Sequence, residues 1–115
     1  MTRQPFEANV RSYQGNVIID LHGEINAFAD RALHSAYTEA ENLDPPTVVL
    51  NFHDVDYINS TGIALIVSIL AQARKSGRRL AVYGLSDHYV EIFQITRLAD
   101  FMTIYPDEAS ALVAA

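Results

Sequence analysis

Asn59-Ser60-Thr61-Gly62 brings two hydroxyls to the place where an apolar run gives way to an amphipathic one. The run Thr47 to Phe52 reads as a strand, His53-Asp-Val-Asp-Tyr57 as a short acidic loop, and the residues from Ser60 onward as a helix. A helix start carries unpaired backbone N–H groups and the positive end of the helix dipole. A serine placed there either caps the helix or bears a phosphate. Ser60 is the candidate acceptor. Thr61 is a second candidate, its alternative being a local bond to backbone.

The remaining reactive side chains form weaker patterns. His53-Asp54-x-Asp56 has the residue types of a metal site, but its ligands are neighbours in one loop with no distant partner at a recognisable spacing. A solvated acidic loop explains it, and no metal or cofactor is expected. His22, His34 and His88 are scattered and read as surface or hydrogen-bonded histidines. No G-x-S-x-G elbow, Walker loop or G-x-G-x-x-G occurs, which leaves hydrolase, NTPase and dehydrogenase chemistry without support. Asn59-Ser60-Thr61 is also a formal glycosylation sequon, meaningless in the cytoplasmic location expected below.

Several elements must position these residues. Phe6 to Tyr13, the turn signal Gln14-Gly15-Asn16 and Val17 to Leu21 predict a β-hairpin. Asn26 is a natural N-cap for a helix from about Ala27 to Asn42, with Phe28, Ala32, Leu33, Ala36 and Ala40 as its apolar stripe. Asp44-Pro45-Pro46 ends it and leads into the strand from Thr47, which is apolar on both faces like a central strand covered by helices. The second helix runs from Ser60 to about Ser76, with Gly77 at C′ and Arg74 and Lys75 in its last turn. Arg79 to Tyr83 is a buried strand. Ser86 or Asp87 starts a short helix, Asp100 to Tyr105 is a final strand, and Pro106-Asp-Glu108 opens a last helix. Helices alternating with strands after a hairpin predict an α/β fold: a mixed, mostly parallel sheet of four to five strands with about four helices.

On a helical wheel, Ile63, Ile66, Val67, Leu70 and Ala73 share one side of the second helix, and Ser68, Gln72, Lys75 and Ser76 the other. Ile69 falls at the margin and Leu65 inside the polar sector. Leu65 is either covered by a neighbouring element or a contact for a partner.

The chain's 115 residues suit one domain, expected over 1–115, and a composition half apolar argues against disorder. The absence of cysteine excludes disulfides and thiolate metal sites. A net charge of −6 makes non-specific nucleic-acid binding unfavourable. No apolar run is long enough to span a bilayer and Met1 to Glu7 has no apolar signal core, so a cytoplasmic location without membrane contact is expected. Acids dominate up to Tyr57, which suits a basic protein partner, while Arg74, Lys75, Arg78 and Arg79 group together beyond it.

Two signatures carry a resemblance. Asp54-Val-Asp-Tyr57-Ile58-Asn59-Ser60-Thr61-Gly62 fits D-x-x-x-[ILV]-[DN]-S-[ST]-G between a strand and an apolar helix, and Leu21-His-Gly-Glu-Ile-Asn26 fits L-x-G-E-[LI]-[DN]. With the later strand–helix–strand from Val82 to Tyr105, the chain resembles, over nearly its whole length, the STAS domain of bacterial anti-sigma factor antagonists. The resemblance implies a binding switch and not an enzyme. Ser60 is then the phospho-acceptor, surrounded by Glu24, Asn26, Asp54, Asp56, Asn59, Thr61 and Gly62, and Ile63 and Leu65 contact the partner. It implies an anti-sigma factor that is also a serine kinase with a GHKL-type ATP site, sequestered by the unphosphorylated protein. A metal-dependent serine phosphatase resets the switch.

The chain departs from that pattern at Asn26 and Asn59, where many family members carry aspartate. An amide still caps a helix but offers no negative charge. The departure favours a rival reading, a STAS scaffold that oligomerises or docks in a larger signalling assembly without switching. A third reading, an enzyme built on the acidic loop and histidines, requires a bound metal or strongly perturbed groups in a deep pocket. Oligomeric state is left open.

Overall fold

The computed structural model describes residues 5–114. Strands β1 (Glu7–Tyr13) and β2 (Asn16–Ile25) form the expected hairpin, with Tyr13 opposite Asn16. Gln14 and Gly15 take φ of 51° and 82°, the double left-handed geometry of a two-residue turn matched to strand twist. Next come α1 (Asp30–Asn42), β3 (Thr47–Ile58), α2 (Ser60–Lys75), β4 (Arg79–Tyr83), α3 (Asp87–Ile95), β5 (Thr103–Tyr105) and α4 (Glu108–Ala114). The five strands lie in the sheet in sequence order. β1 is antiparallel to β2, and every later pair is parallel.

Each parallel crossover moves to the adjacent strand, and a shared right-handed sense sends α1, α2 and α3 to one face. Val17, Ile19 and Leu21 of β2, Val48, Leu50 and Phe52 of β3, and Leu80 and Val82 of β4 meet the helices there in one core. Phe52 packs edge-on against Phe93 of α3, ring centres 6.1 Å apart. The alternate residues Ile18, Val49, Ala81 and Tyr83 face the other way and are covered by Ala111 of α4. This explains why β3 is apolar on both faces. The end of α2 is a Schellman motif, with Gly77 at φ 72° and bonds from Gly77 N to Arg74 O and from Arg78 N to Ala73 O.

Four expectations are corrected. Residues Ala27–Ala29 form a separate 3-10 turn, and the α-helix begins only at Asp30. That break in phase turns Phe28 out of the stripe to 94% exposure, while Tyr37 joins Leu33, Ala36 and Ala40 inside. The burial of Tyr37, aided by Glu41, pushes its phenol up to about 12. The acidic stretch is not a loop: β3 continues through Asp54 and Asp56 to Ile58, paired with the end of β2. The buried stripe of α2 is rotated, so that Ile69 is fully buried and Val67 stands exposed. The final strand is shorter than expected, because Leu98–Asp100 coils into a 3-10 turn.

A single guanidinium fastens α4 to the sheet. Arg11 of β1 bonds Asp20 of β2 at 2.6 Å and also reaches Glu108 of α4. Tyr83 of β4 donates to Glu108 at 2.6 Å, and Asn51 of β3 donates to Asp20 at 2.8 Å. The Arg11 and Tyr83 hydrogen bonds hold the Glu108 carboxyl below its usual range. Burial opposes the same shift at Asp20, but hydrogen bonds from Arg11 and Asn51 outweigh it. Carboxylates depressed on folding stabilise fully above their unfolded pKa, and the contribution fades as pH falls through the folded value. Glu108→Gln should therefore cost about 1 kcal/mol at neutral pH, since these groups are partly exposed. Thermal melts should show the gap to wild type closing as pH drops from about 5 toward 3.

Candidate functional site

The α2 N-terminus sits directly on the end of β2. Asn59 leaves β3 in an extended conformation, and its N–H donates to the Ile25 carbonyl at 3.2 Å. Its side-chain Oδ1 accepts from Gly62 N at 2.8 Å. Ile63 N closes the first helical bond onto Asn59 O at 2.9 Å. The cap is thus Asn59. Ser60 occupies the first helical position, exposed, and its hydroxyl has no hydrogen-bond partner among the described residues. Thr61 is exposed beside it.

Gly62 makes this contact possible. A Cβ at that position would lie 2.1 Å from the Ile25 carbonyl oxygen and 2.9 Å from Ile58 Cγ2. The missing side chain lets the helix start touch the strand end. Tyr89 of α3 braces the same corner from the other side, its hydroxyl accepting from Ile58 N at 2.8 Å.

The surrounding residues divide into those gathered at the corner and those carried away from it. Asn26 follows Ile25 directly, and its Oδ1 accepts from Phe28 N at 2.9 Å, capping the 27–29 turn that abuts α2. Both amides, Asn26 and Asn59, are therefore cap acceptors, a job an amide oxygen does as well as a carboxylate. Glu24 is buried where β2 pairs with Tyr57. β3 is bulged relative to β2 at two points in this region. Asp56 is exposed near the strand end; Asp54 is exposed opposite His22, about 13 Å back along the strand from Ile58. Ile63 and Leu65 are half-buried, each packing partly on the core and partly facing solvent. Leu65 is thus covered on one side only.

Sequence reasoning missed Phe28 and Tyr57, both exposed aromatics near this corner. The Asn26 cap was a signal for Phe28, since a capped short turn resets the helical phase that had placed it inside.

One further side-chain alignment lies away from this corner. Asp30, His34 and Ser68 do align, with Asp30 2.7 Å from His34 Nδ1 and Ser68 Oγ 3.1 Å from His34 Nε2. Ser68 lies in the middle of α2, where backbone N–H groups are spent on the helix and none can form an oxyanion hole. The His53 ring meets the adjacent Asp54 carboxylate at 3.1 Å. Among the described residues no group of three His, Cys, Asp or Glu is placed to hold a metal, and no helix is long and apolar enough to cross a membrane.

A mixed five-stranded sheet with three helices on one face and a capped helix start at its edge defines a STAS-type module, and the chain belongs to the STAS domain family, whose model matches residues 7–111. Among its relatives, the anti-sigma-B factor antagonist of Staphylococcus aureus is 27% identical over 86 residues, covering 75% of this chain and 80% of that protein. An anti-sigma factor antagonist from Mycobacterium paratuberculosis shares the fold with a TM-score of 0.81 at 21% identity, covering 95% of this chain and 92% of that one. The Bacillus cell fate determinant SpoIIAA in its phosphorylated form matches with a TM-score of 0.69 at 19% identity, covering 96% and 99%.

The geometry separates two substitutions in adjoining positions. Gly62→Ala should destabilise by about 2 kcal/mol or more, since the Cβ meets backbone that cannot yield. Ser60→Ala should change stability by no more than about 0.5 kcal/mol, as expected for an exposed residue without partners. Chemical denaturation of the two variants against wild type checks both.

Proposed function

We propose that this protein is an anti-sigma factor antagonist, a binding module whose partner is an anti-sigma factor and whose output is transcription. The related proteins carry that name, and the family and fold are theirs. We further propose that Ser60 is its phosphorylation switch. One observation carries this: Asn59 supplies the cap, so the Ser60 hydroxyl is exposed and unengaged at the positive end of a sixteen-residue helix. Phosphate on such a hydroxyl is tolerated within the fold, because the helix N-terminus favours negative charge. The same phosphate adds about −1.5 to −2 charges at neutral pH to any interface covering it. Binding is then broken while the module stays folded.

In this reading the unphosphorylated chain, acting as a single cytoplasmic domain, sequesters an anti-sigma factor that is also a GHKL-type serine kinase, and a metal-dependent serine phosphatase resets it. Glu24, Asn26, Asn59, Thr61 and Gly62 shape the acceptor, with Asp56 and, more distantly, Asp54 adding acidity to the rim. Ile63 and Leu65 offer their exposed sides to the partner. The two amides do not weaken the proposal, since each makes a capping bond here. The kinase brings its own ATP and metal site.

The test uses the GHKL-type anti-sigma factors of the host, purified one by one. With the cognate kinase and ATP, intact-mass measurement should show one added phosphate on wild type and none on Ser60→Ala. Ser60→Ala should stay bound, and Ser60→Glu should bind at least tenfold more weakly, a loss of about 1.4 kcal/mol. Phosphate added to Ser60→Ala as readily as to wild type, or wild type left unmodified by every such kinase, would overturn the switch.

A further inference from the structure

A second surface lies on α2 away from Ser60. The later turns of α2 and the corner after α3 enclose a shallow groove of about 320 Å3, floored by Val67, Leu70, Leu98 and Phe101. Val67 is 43% exposed and Phe101 51%, and Ile95, next in the chain to the lining residue Thr96, is 72% exposed. A contiguous apolar patch ringed by polar groups marks an interaction site better than scattered exposed side chains do. Its rim carries two guanidiniums, Arg74 and Arg97, in a chain of net charge −6. Arg74 lies over the Phe101 ring at 4.9 Å with no carboxylate partner among the described residues. Arg97, at φ 67°, holds the left-handed position after α3 that glycine usually takes, and bonds Asp100 at 2.6 Å.

We propose that this groove docks an acidic amphipathic helix of a partner protein, independently of the Ser60 switch. The walls are a helix and a 3-10 corner, with no unpaired strand edge, so recognition runs through side chains and suits a helix laid in a groove. Val67 to Arg74 spans about 10.5 Å, the separation of anchors at i and i+7 on a partner helix. Arg74, without a carboxylate partner among the described residues, selects carboxylates flanking those anchors, and Arg97 can share its guanidinium between Asp100 and the partner. Two guanidiniums on an acidic protein are too few to hold an anionic bilayer, which calls for clusters of four or more. Ser60 is about 21 Å from Arg74 along the helix, farther than a Debye length at physiological salt, so a phosphate there leaves the groove unaffected.

Titration of the 15N-labelled 115-residue chain tests this. The probes are a synthetic helix of about 14 residues with leucine at i, i+3 and i+7 and glutamate elsewhere, its lysine twin, and vesicles of anionic lipid. Amide shifts should be confined to residues 67–74 and 95–101 and saturate with the glutamate peptide, with the lysine twin at least tenfold weaker. Arg74→Glu and Arg97→Glu, both exposed and checked for folding by their amide spectra, should each weaken the glutamate peptide about tenfold, and Ser60→Glu should leave its affinity unchanged. No shifts at millimolar peptide, shifts elsewhere, equal response to both peptides, or binding to the vesicles instead would overturn the docking site. A loss of affinity in Ser60→Glu would overturn its independence of the switch.

Discussion

The structure turns on the contact between the first turn of α2 and the last residue of β2. Asn59 N–H and the space left by Gly62 both meet the Ile25 carbonyl, so a helix start is pressed onto the end of a strand from a different crossover. Close packing of this kind admits no side chain. It fixes where α2 begins, and thereby which residue caps it and which is left with a free hydroxyl. Tyr89 reaches the same corner from α3, so three crossovers converge on it. The candidate switch residue is thus presented by backbone held on two sides, by the Ile25 carbonyl and by the Asn59 cap.

The two amides at Asn26 and Asn59 are tied to that constraint. Each accepts one backbone N–H at the start of a helical turn, and the two turns abut. A carboxylate in either place would make the same bond and add charge beside the hydroxyl. With amides in both places, the chain makes the capping bonds without adding negative charge beside Ser60. The acidity that remains comes from Asp54 and Asp56 on the extended β3 and from the buried Glu24, not from the capping residues.

The opposite face of the sheet is organised by charge. A small apolar cluster under α4 is sealed by Arg11, Asp20, Tyr83 and Glu108, which join both strands of the hairpin and β4 to the last helix. Arg11 and Asp20 are partly exposed, so the network stabilises modestly but orients α4 specifically. The helix-covered face supplies most of the apolar burial, and both proposed binding surfaces lie along α2.

Much of this was legible along the chain. Hairpin, alternation of strands and helices, the Schellman glycine at Gly77 and the both-faced burial of β3 follow from local periodicity and turn chemistry, which are properties of neighbouring residues. The sequence by itself also determined that hydroxyls, amides and a glycine meet at a helix start. Only the tertiary structure decided which of them caps, because Asn59 is held by Ile25, far away in sequence. It alone turned Phe28 outward, rotated the buried stripe of α2 from Val67 to Ile69, and drew the acidic stretch into β3 by pairing it with β2. Those outcomes depend on contacts between distant segments, and a periodicity read within one segment carries no information about the surface it will meet.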